Sequence, residues 1–126
     1  MTVLVTGNLG YIGSVLTPVL VHRGYRVRGL DSGLFADCVF SEVDSPREQI
    51  WRDIRDIEAS DVEGVDGVIH LAGLSNDPLG ELDAGLTHAI NFEATVRLAE
   101  LARTAGVRRF VYASSQSMYG ISSSEQ

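Results

Sequence analysis

There is no lysine in this sequence. All ten basic residues are arginine, against seventeen Asp plus Glu, which leaves a net charge of −7 and a pI near 4.8. Duplex nucleic acid calls for a basic face and anionic lipid for a basic cluster, so neither is expected as a partner. Cysteine is nearly absent too. Cys38 stands alone and cannot form an internal disulfide. It reads as an unreactive loop residue, and a reducing cytoplasm is the expected compartment. No apolar run approaches the roughly 18 residues that a spanning helix needs, and Met1 leads straight into a strand-like segment rather than a signal peptide, so no membrane contact is expected. His22, His70 and His88 fall on separate elements, and no His/Cys/carboxylate group has metal spacing, so no metal is expected.

What is present suits one folded unit. The chain has 126 residues, 44% apolar and 21% charged, which is enough for one core. Thr2 to Thr6 is a β-branched apolar run that stops at Gly7 and reads as a buried strand. Tyr11 to Arg23 carries Ile12, Val15, Leu16, Val19 and Leu20 at helical spacing, with Gly24 placed to end the helix. Pro18 conflicts with that helix, since an interior proline costs about 3 kcal/mol, and predicts a kink or an irregular first turn. Tyr25 to Leu30, ending at Asp31, is a second strand. Ser32 to Arg47 is a loop. Gln49 to Arg52 is a short third strand, followed by a weak helix or turn over Ile54 to Asp61.

Gly67 to Ala72 is a fourth strand, and Leu74 to Asp83 a loop. Leu86 to Ala105 is the longest helical pattern, with Ile90, Ala94, Leu98 and Leu101 on one side. Val107 to Ser114 is a fifth strand. Strands alternating with helices predict an α/β fold whose parallel sheet is covered on both faces. Right-handed crossovers with a switch after the third strand give order 3-2-1-4-5, an incomplete Rossmann-like doubly wound sheet.

The segment Thr6-Gly7-Asn8-Leu9-Gly10-Tyr11-Ile12-Gly13 joins the first strand to the first helix. Gly7 permits the tight turn, Gly10 lets backbone approach a phosphate, and Gly13 lets helix and strand pack closely. The helix start then offers unpaired N–H groups and a positive dipole end to a pyrophosphate. The same glycines would also suit a turn without ligand, but strand, turn and helix stand in the order nucleotide binding requires. Asp31 lies 18 residues after Gly13 at the end of the second strand, where a carboxylate can accept from an adenosine ribose. It would repel a 2′-phosphate, and no Arg follows it, so NAD is favoured over NADP. Asp53 could meet an adenine amino group while Ile54 packs on the ring, although Asp at a strand end is also an ordinary cap. His70 reads as a buried structural histidine, followed by small residues beside the crevice. Ser114 and Ser115 stand at the carboxyl end of the sheet, where a hydroxyl can hold a substrate oxygen or simply cap a turn.

Taken together, TGNLGYIG, Asp31, Asp53-Ile54, HLAG at 70–73, Asn91 in INFEAT and VYASSQSMYG run in one order over nearly the whole chain. In this the sequence resembles the extended short-chain dehydrogenase/reductase family, in its NAD-dependent epimerase/dehydratase branch acting on nucleotide sugars. The resemblance implies that Gly7, Gly10, Tyr11, Ile12 and Gly13 hold the NAD pyrophosphate and Asp31 its adenosine ribose. It implies that Asp53 and Ile54 contact adenine, that Leu71, Ala72 and Gly73 line the cleft with Ser114, and that Asn91 sits near cofactor and active site. Ser115, four residues before Tyr119, matches the catalytic Ser/Thr. Helix 86–105 resembles one of two helices through which such proteins form homodimers.

The family's base is a tyrosine in Tyr-x-x-x-Lys beyond that serine, whose lysine lowers the tyrosine pKa and holds the nicotinamide ribose. This sequence runs 11 residues past Ser115 and has no lysine. The expectation is therefore the amino-terminal half of an enzyme, cofactor-binding over residues 1–126, with the later strands and the substrate domain absent and no turnover by itself. The fifth strand would then expose an apolar edge over Phe110 to Ala113. Ser75 and Asn76 stand where galactose-type epimerases usually carry a lysine, and Gln116 replaces the small residue common after the serine, which weakens a UDP-glucose 4-epimerase assignment. The alternative from another class is a non-catalytic module that binds a dinucleotide or a partner chain.

Overall fold

A computed structural model describes residues 1–38, 46–75 and 83–115. Five strands form one parallel sheet: β1 (Thr2–Thr6), β2 (Arg26–Asp31), β3 (Glu48–Trp51), β4 (Gly67–His70) and β5 (Arg109–Tyr112). Their order is β3-β2-β1-β4-β5, as the crossover argument requires. Helix α1 (Tyr11–His22) joins β1 to β2. A 3₁₀ turn (Ile54–Asp56) and α2 (Ala59–Val62) join β3 to β4. The β4-to-β5 connection contains α3 (Ala84–His88), a π-helical turn (Ala89–Glu93) and α4 (Ala94–Thr104).

The strand pattern divides the core between two faces. Leu4 and Leu30 point to one side, with Val68, Ile57, Val62, Ala94, Leu98 and Ala102. Val3, Val5 and Val27 point to the other, against Leu20 and Val21 of α1. A central strand buried on both faces therefore reads as a continuous apolar run, not as an alternating one. Leu4 and Leu98 are fully buried, and each such side chain contributes about 1.5–3 kcal/mol.

Several boundaries differ from the sequence expectation. Pro18 lies inside α1 without ending it; the helix holds its place through packing on the sheet. β4 stops at His70, not Ala72, because its partner β1 ends at the paired residue Thr6, where Gly7 turns away with φ +69°. β5 covers only Arg109–Tyr112. The long helix begins earlier, at Ala84, and is interrupted by the π turn at Ala89–Glu93. Inside that turn the Asn91 carbonyl accepts from the Thr95 hydroxyl at 2.9 Å, and its side chain bonds to another loop, which fits the tendency of π turns to lie at functional positions. β5 is an edge of the described sheet, and Phe110, Val111 and Tyr112 are 37%, 55% and 48% exposed. Among the described residues, no helix is long and apolar enough to cross a membrane.

Candidate nucleotide-binding site

The carboxyl ends of β1, β2 and β4 converge where the order of connections reverses, the place at which open α/β sheets bind ligands. The glycine loop fills that point. A Cβ on Gly7 would lie 2.7 Å from the Ala72 nitrogen, and its φ is left-handed. A Cβ on Gly13 would collide with the Gly7 carbonyl oxygen and the Asn8 backbone. Both positions therefore require glycine for close approach, as expected. Gly10 is the N-cap of α1 and supplies no side-chain cap. Its N–H donates back to the Gly7 carbonyl at 3.1 Å, and its carbonyl accepts from Ser14 at 2.9 Å. The first-turn N–H groups of Tyr11, Ile12 and Gly13 are those a helix cannot satisfy internally. Such N–H groups and the positive dipole end are what favours an anion at a helix start. Tyr11 is 93% exposed.

Asp31 ties two loops together. One carboxylate oxygen accepts from the Leu9 N–H at 3.0 Å and the other from the Gly33 N–H at 2.8 Å. A carboxylate has roughly four acceptor positions, and these two bonds use two of them. A second link was not visible in the motif. Asn8 is 1% exposed, and its amide donates to Gln49 Oε1 at 2.8 Å. This pair packs over Gly29, where a Cβ would lie 2.6 Å from both side chains. The available signal was a glycine inside a strand, which often marks such close approach.

On the β4 side, His70 is fully buried, as expected of a structural histidine. Its Nδ1 lies 2.6 Å from the Thr6 hydroxyl and its Nε2 2.8 Å from that of Thr95. Thr95 gives its proton to the Asn91 carbonyl, so it accepts from Nε2–H. Nδ1 is then the acceptor for Thr6, whose oxygen also receives the Ala72 N–H at 3.4 Å. The network assigns the Nε2–H tautomer. Burial pushes the His70 pKa down to about 4, so the ring is neutral near pH 7. Asn91 Oδ1 accepts from the Leu74 N–H at 2.8 Å, and Nδ2 donates to the Leu74 carbonyl at 2.8 Å. It thereby holds the segment that follows Leu71, Ala72 and Gly73.

Asp53 and Ile54 follow β3, and Ser114 and Ser115 follow β5. Asp53 caps the 3₁₀ turn through the Arg55 N–H at 2.9 Å and pairs with the Arg55 guanidinium at 2.7 Å. That hydrogen bond holds its carboxyl below the usual range. Ile54 is 6% exposed within the core, which leaves its side chain little surface for packing on a ring. Ser114 and Ser115 are exposed just past β5, with the Ser114 N–H on the Tyr112 carbonyl at 3.1 Å. Asn76, Gln116 and Tyr119 lie outside the described residues. Among the described residues, no group of three or more His, Cys, Asp or Glu could hold a metal ion.

Comparison with known proteins bears on the family and the fold. The UDP-glucose 4-epimerase of Mycolicibacterium smegmatis is 37% identical over 95% of this chain and 41% of its own length. A 3 beta-hydroxysteroid dehydrogenase/Delta 5-->4-isomerase of Mycobacterium tuberculosis is 32% identical over 92% of this chain and 32% of its own. The chain thus spans less than half of either relative. The solved structure of MoeE5 in complex with UDP-glucose and NAD superposes with a TM-score of 0.83 at 30% identity, over 98% of this chain and 39% of that one. The model of the NAD dependent epimerase/dehydratase family matches residues 3–126, and the chain belongs to that family.

Proposed function

We propose that residues 1–126 are the NAD-binding portion of a nucleotide-sugar epimerase or dehydratase. The observation that supports this reading is the glycine loop held by Asp31 at a helix start without a side-chain cap; the pyrophosphate goes to that helix start and the ribose to the carboxylate. NAD, when bound, accepts a hydride from a sugar carbon and returns it. Leu71, Ala72 and Gly73 border the cleft, and Asn91 holds the segment that follows them. Asp53 and Ile54 offer adenine a rim rather than a free carboxylate and an open apolar face. The two arginines nearest that end of β3 are already engaged: Arg52 by Glu58 and Asp61, and Arg55 by Asp53. Among the described residues, the arginines at that end are thus already paired rather than open to a 2′-phosphate, which favours NAD over NADP.

Ser115 orients a sugar hydroxyl at the carboxyl end of β5. A serine by itself does not remove that proton at neutral pH, and general-base assistance is typically worth about 10²–10⁴ in rate. The 126 residues contain no Tyr-x-x-x-Lys, so turnover is expected only from a chain that carries one. A sugar-acting and a steroid-acting relative both match this stretch, which suits a portion devoted to the cofactor they would share. Nucleotide-sugar chemistry is favoured because MoeE5, solved with UDP-glucose, matches over nearly the whole chain. The half-exposed Phe92 and Val96 of the π turn and α4 suit a homodimer face, and a cytoplasmic setting fits the single thiol. The test is anaerobic incubation with NAD and a panel of UDP-, GDP-, CDP- and dTDP-sugars. The 126-residue chain and a version extended through a Tyr-x-x-x-Lys helix are compared. Turnover only in the extended version, lowered by Ser115→Ala, supports the reading; Ser115-dependent turnover by the short chain overturns it.

A further inference from the structure

Trp51 is the single tryptophan of the chain, and it ends β3 with 63% of its surface exposed. An indole open at a strand end has a face that a bound group can cover. Its surroundings indicate which. Trp51 pairs in register with Asp31, and the Arg52 N–H donates to the Asp31 carbonyl at 2.9 Å. In-register residues on neighbouring parallel strands project to the same face, about 4.8 Å apart. Two residues earlier on that face, Gln49 bonds to Asn8 of the glycine loop. The indole therefore stands on the loop side of the sheet, beside the carboxylate.

The ring also reaches the turn that follows Asp31. A Cβ on Gly33 would lie 2.9 Å from Trp51 Cζ3 and 3.1 Å from Cε3. Gly33 is the residue whose N–H binds Asp31 Oδ1, and its φ is +82°. The indole thus lies on the turn that presents the carboxylate, with its remaining surface open.

Given the nucleotide reading above, we propose that Trp51 forms the outer wall of the adenosine subsite, covering the nucleoside whose ribose Asp31 accepts. The ring supplies apolar and π contact to that nucleoside and fills the flank of Asp31 with an uncharged group. A dinucleotide with a free 2′-hydroxyl is accepted there. A 2′-phosphate would meet the carboxylate on one side and the indole on the other.

Because Trp51 is the sole tryptophan, its emission reports this contact alone. The chain is titrated with NAD, ADP-ribose and nicotinamide mononucleotide, following heat and tryptophan emission together. NAD and ADP-ribose are expected to shift the emission with the midpoint of the heat, and nicotinamide mononucleotide to leave it unchanged. Trp51→Ala is expected to weaken ADP-ribose roughly tenfold, a typical loss for removing an aromatic platform, and Trp51→Phe to retain most of the affinity. Heat from NAD with unmoved emission, or Trp51→Phe and Trp51→Ala both binding like the parent, overturns the role of Trp51 while leaving the nucleotide site intact. Absence of NAD heat overturns both. If Trp51→Ala does not fold, the emission of the parent chain and the affinity of Trp51→Phe decide.

Discussion

Asn91 grips Leu74 with both ends of its amide, accepting the N–H at 2.8 Å and donating to the carbonyl at 2.8 Å. The two backbone partners fix which way the amide faces. Asn91→Ala removes both bonds and leaves two backbone groups to find other partners, at a cost of about 1–3 kcal/mol. Thermal unfolding should show a lower Tm, and NAD affinity should fall because the path of Ala72 and Gly73 loosens. Asn91→Asp, which keeps the acceptor but sets a charge against the Leu74 carbonyl, should be no better than Ala.

The His70 network makes stability depend on acid. In the folded chain the ring titrates near 4, against an ordinary value of 6.5. Between these values the unfolded chain binds more protons, so folding stability rises with pH across the window. The contribution is complete above pH 6.5 and is lost as the pH falls toward 4. Its ceiling is about 3 kcal/mol at 1.36 kcal/mol per decade. Denaturant unfolding of the parent should lose stability over that range, beyond the loss seen in His70→Asn. Parallel pH profiles for the two proteins would contradict the assignment.

Gln49 and Asn8 should couple. Gln49→Ala leaves the buried Asn8 amide without its 2.8 Å acceptor, costing about 1–3 kcal/mol. Adding Asn8→Ala to it should cost less than the sum of the single changes, because the shared bond is lost only once. Additive losses in chemical denaturation would show that the pair does not act together.

The Thr17 hydroxyl is buried in α1 and has no hydrogen-bond partner among the described residues. Such an atom costs about 1–3 kcal/mol. Thr17→Val keeps the shape and removes the unpaired oxygen, so it should raise Tm. A fall in Tm would mean that the hydroxyl is satisfied after all.

The sheet order, the glycine loop and Asp31 were legible because each rests on a local pattern: apolar strands, glycines at fixed spacing and an acid at a strand end. The boundaries of β4 and β5 were less so, since the turn of β1 at Gly7 decides where its neighbour stops. The π turn around Asn91 could not be read from helical periodicity, because it depends on bonds to Leu74 and Thr95. Asn8, Gln49 and Trp51 escaped the motif for the same reason. Their partners, across Gly29 and Gly33, are set by strand register rather than by nearness in sequence. Asp53 and Ile54 show the converse: the pattern singled them out at a strand end, while Arg55 and the core claim their side chains.

Calorimetric titration with NAD and NADP tests the central claim most directly, namely that the glycine loop and Asp31 form an NAD site. The account predicts that NAD binds more tightly than NADP, and that Asp31→Ala weakens NAD and narrows the difference. Tighter binding of NADP, or NAD affinity indifferent to Asp31→Ala, would contradict it.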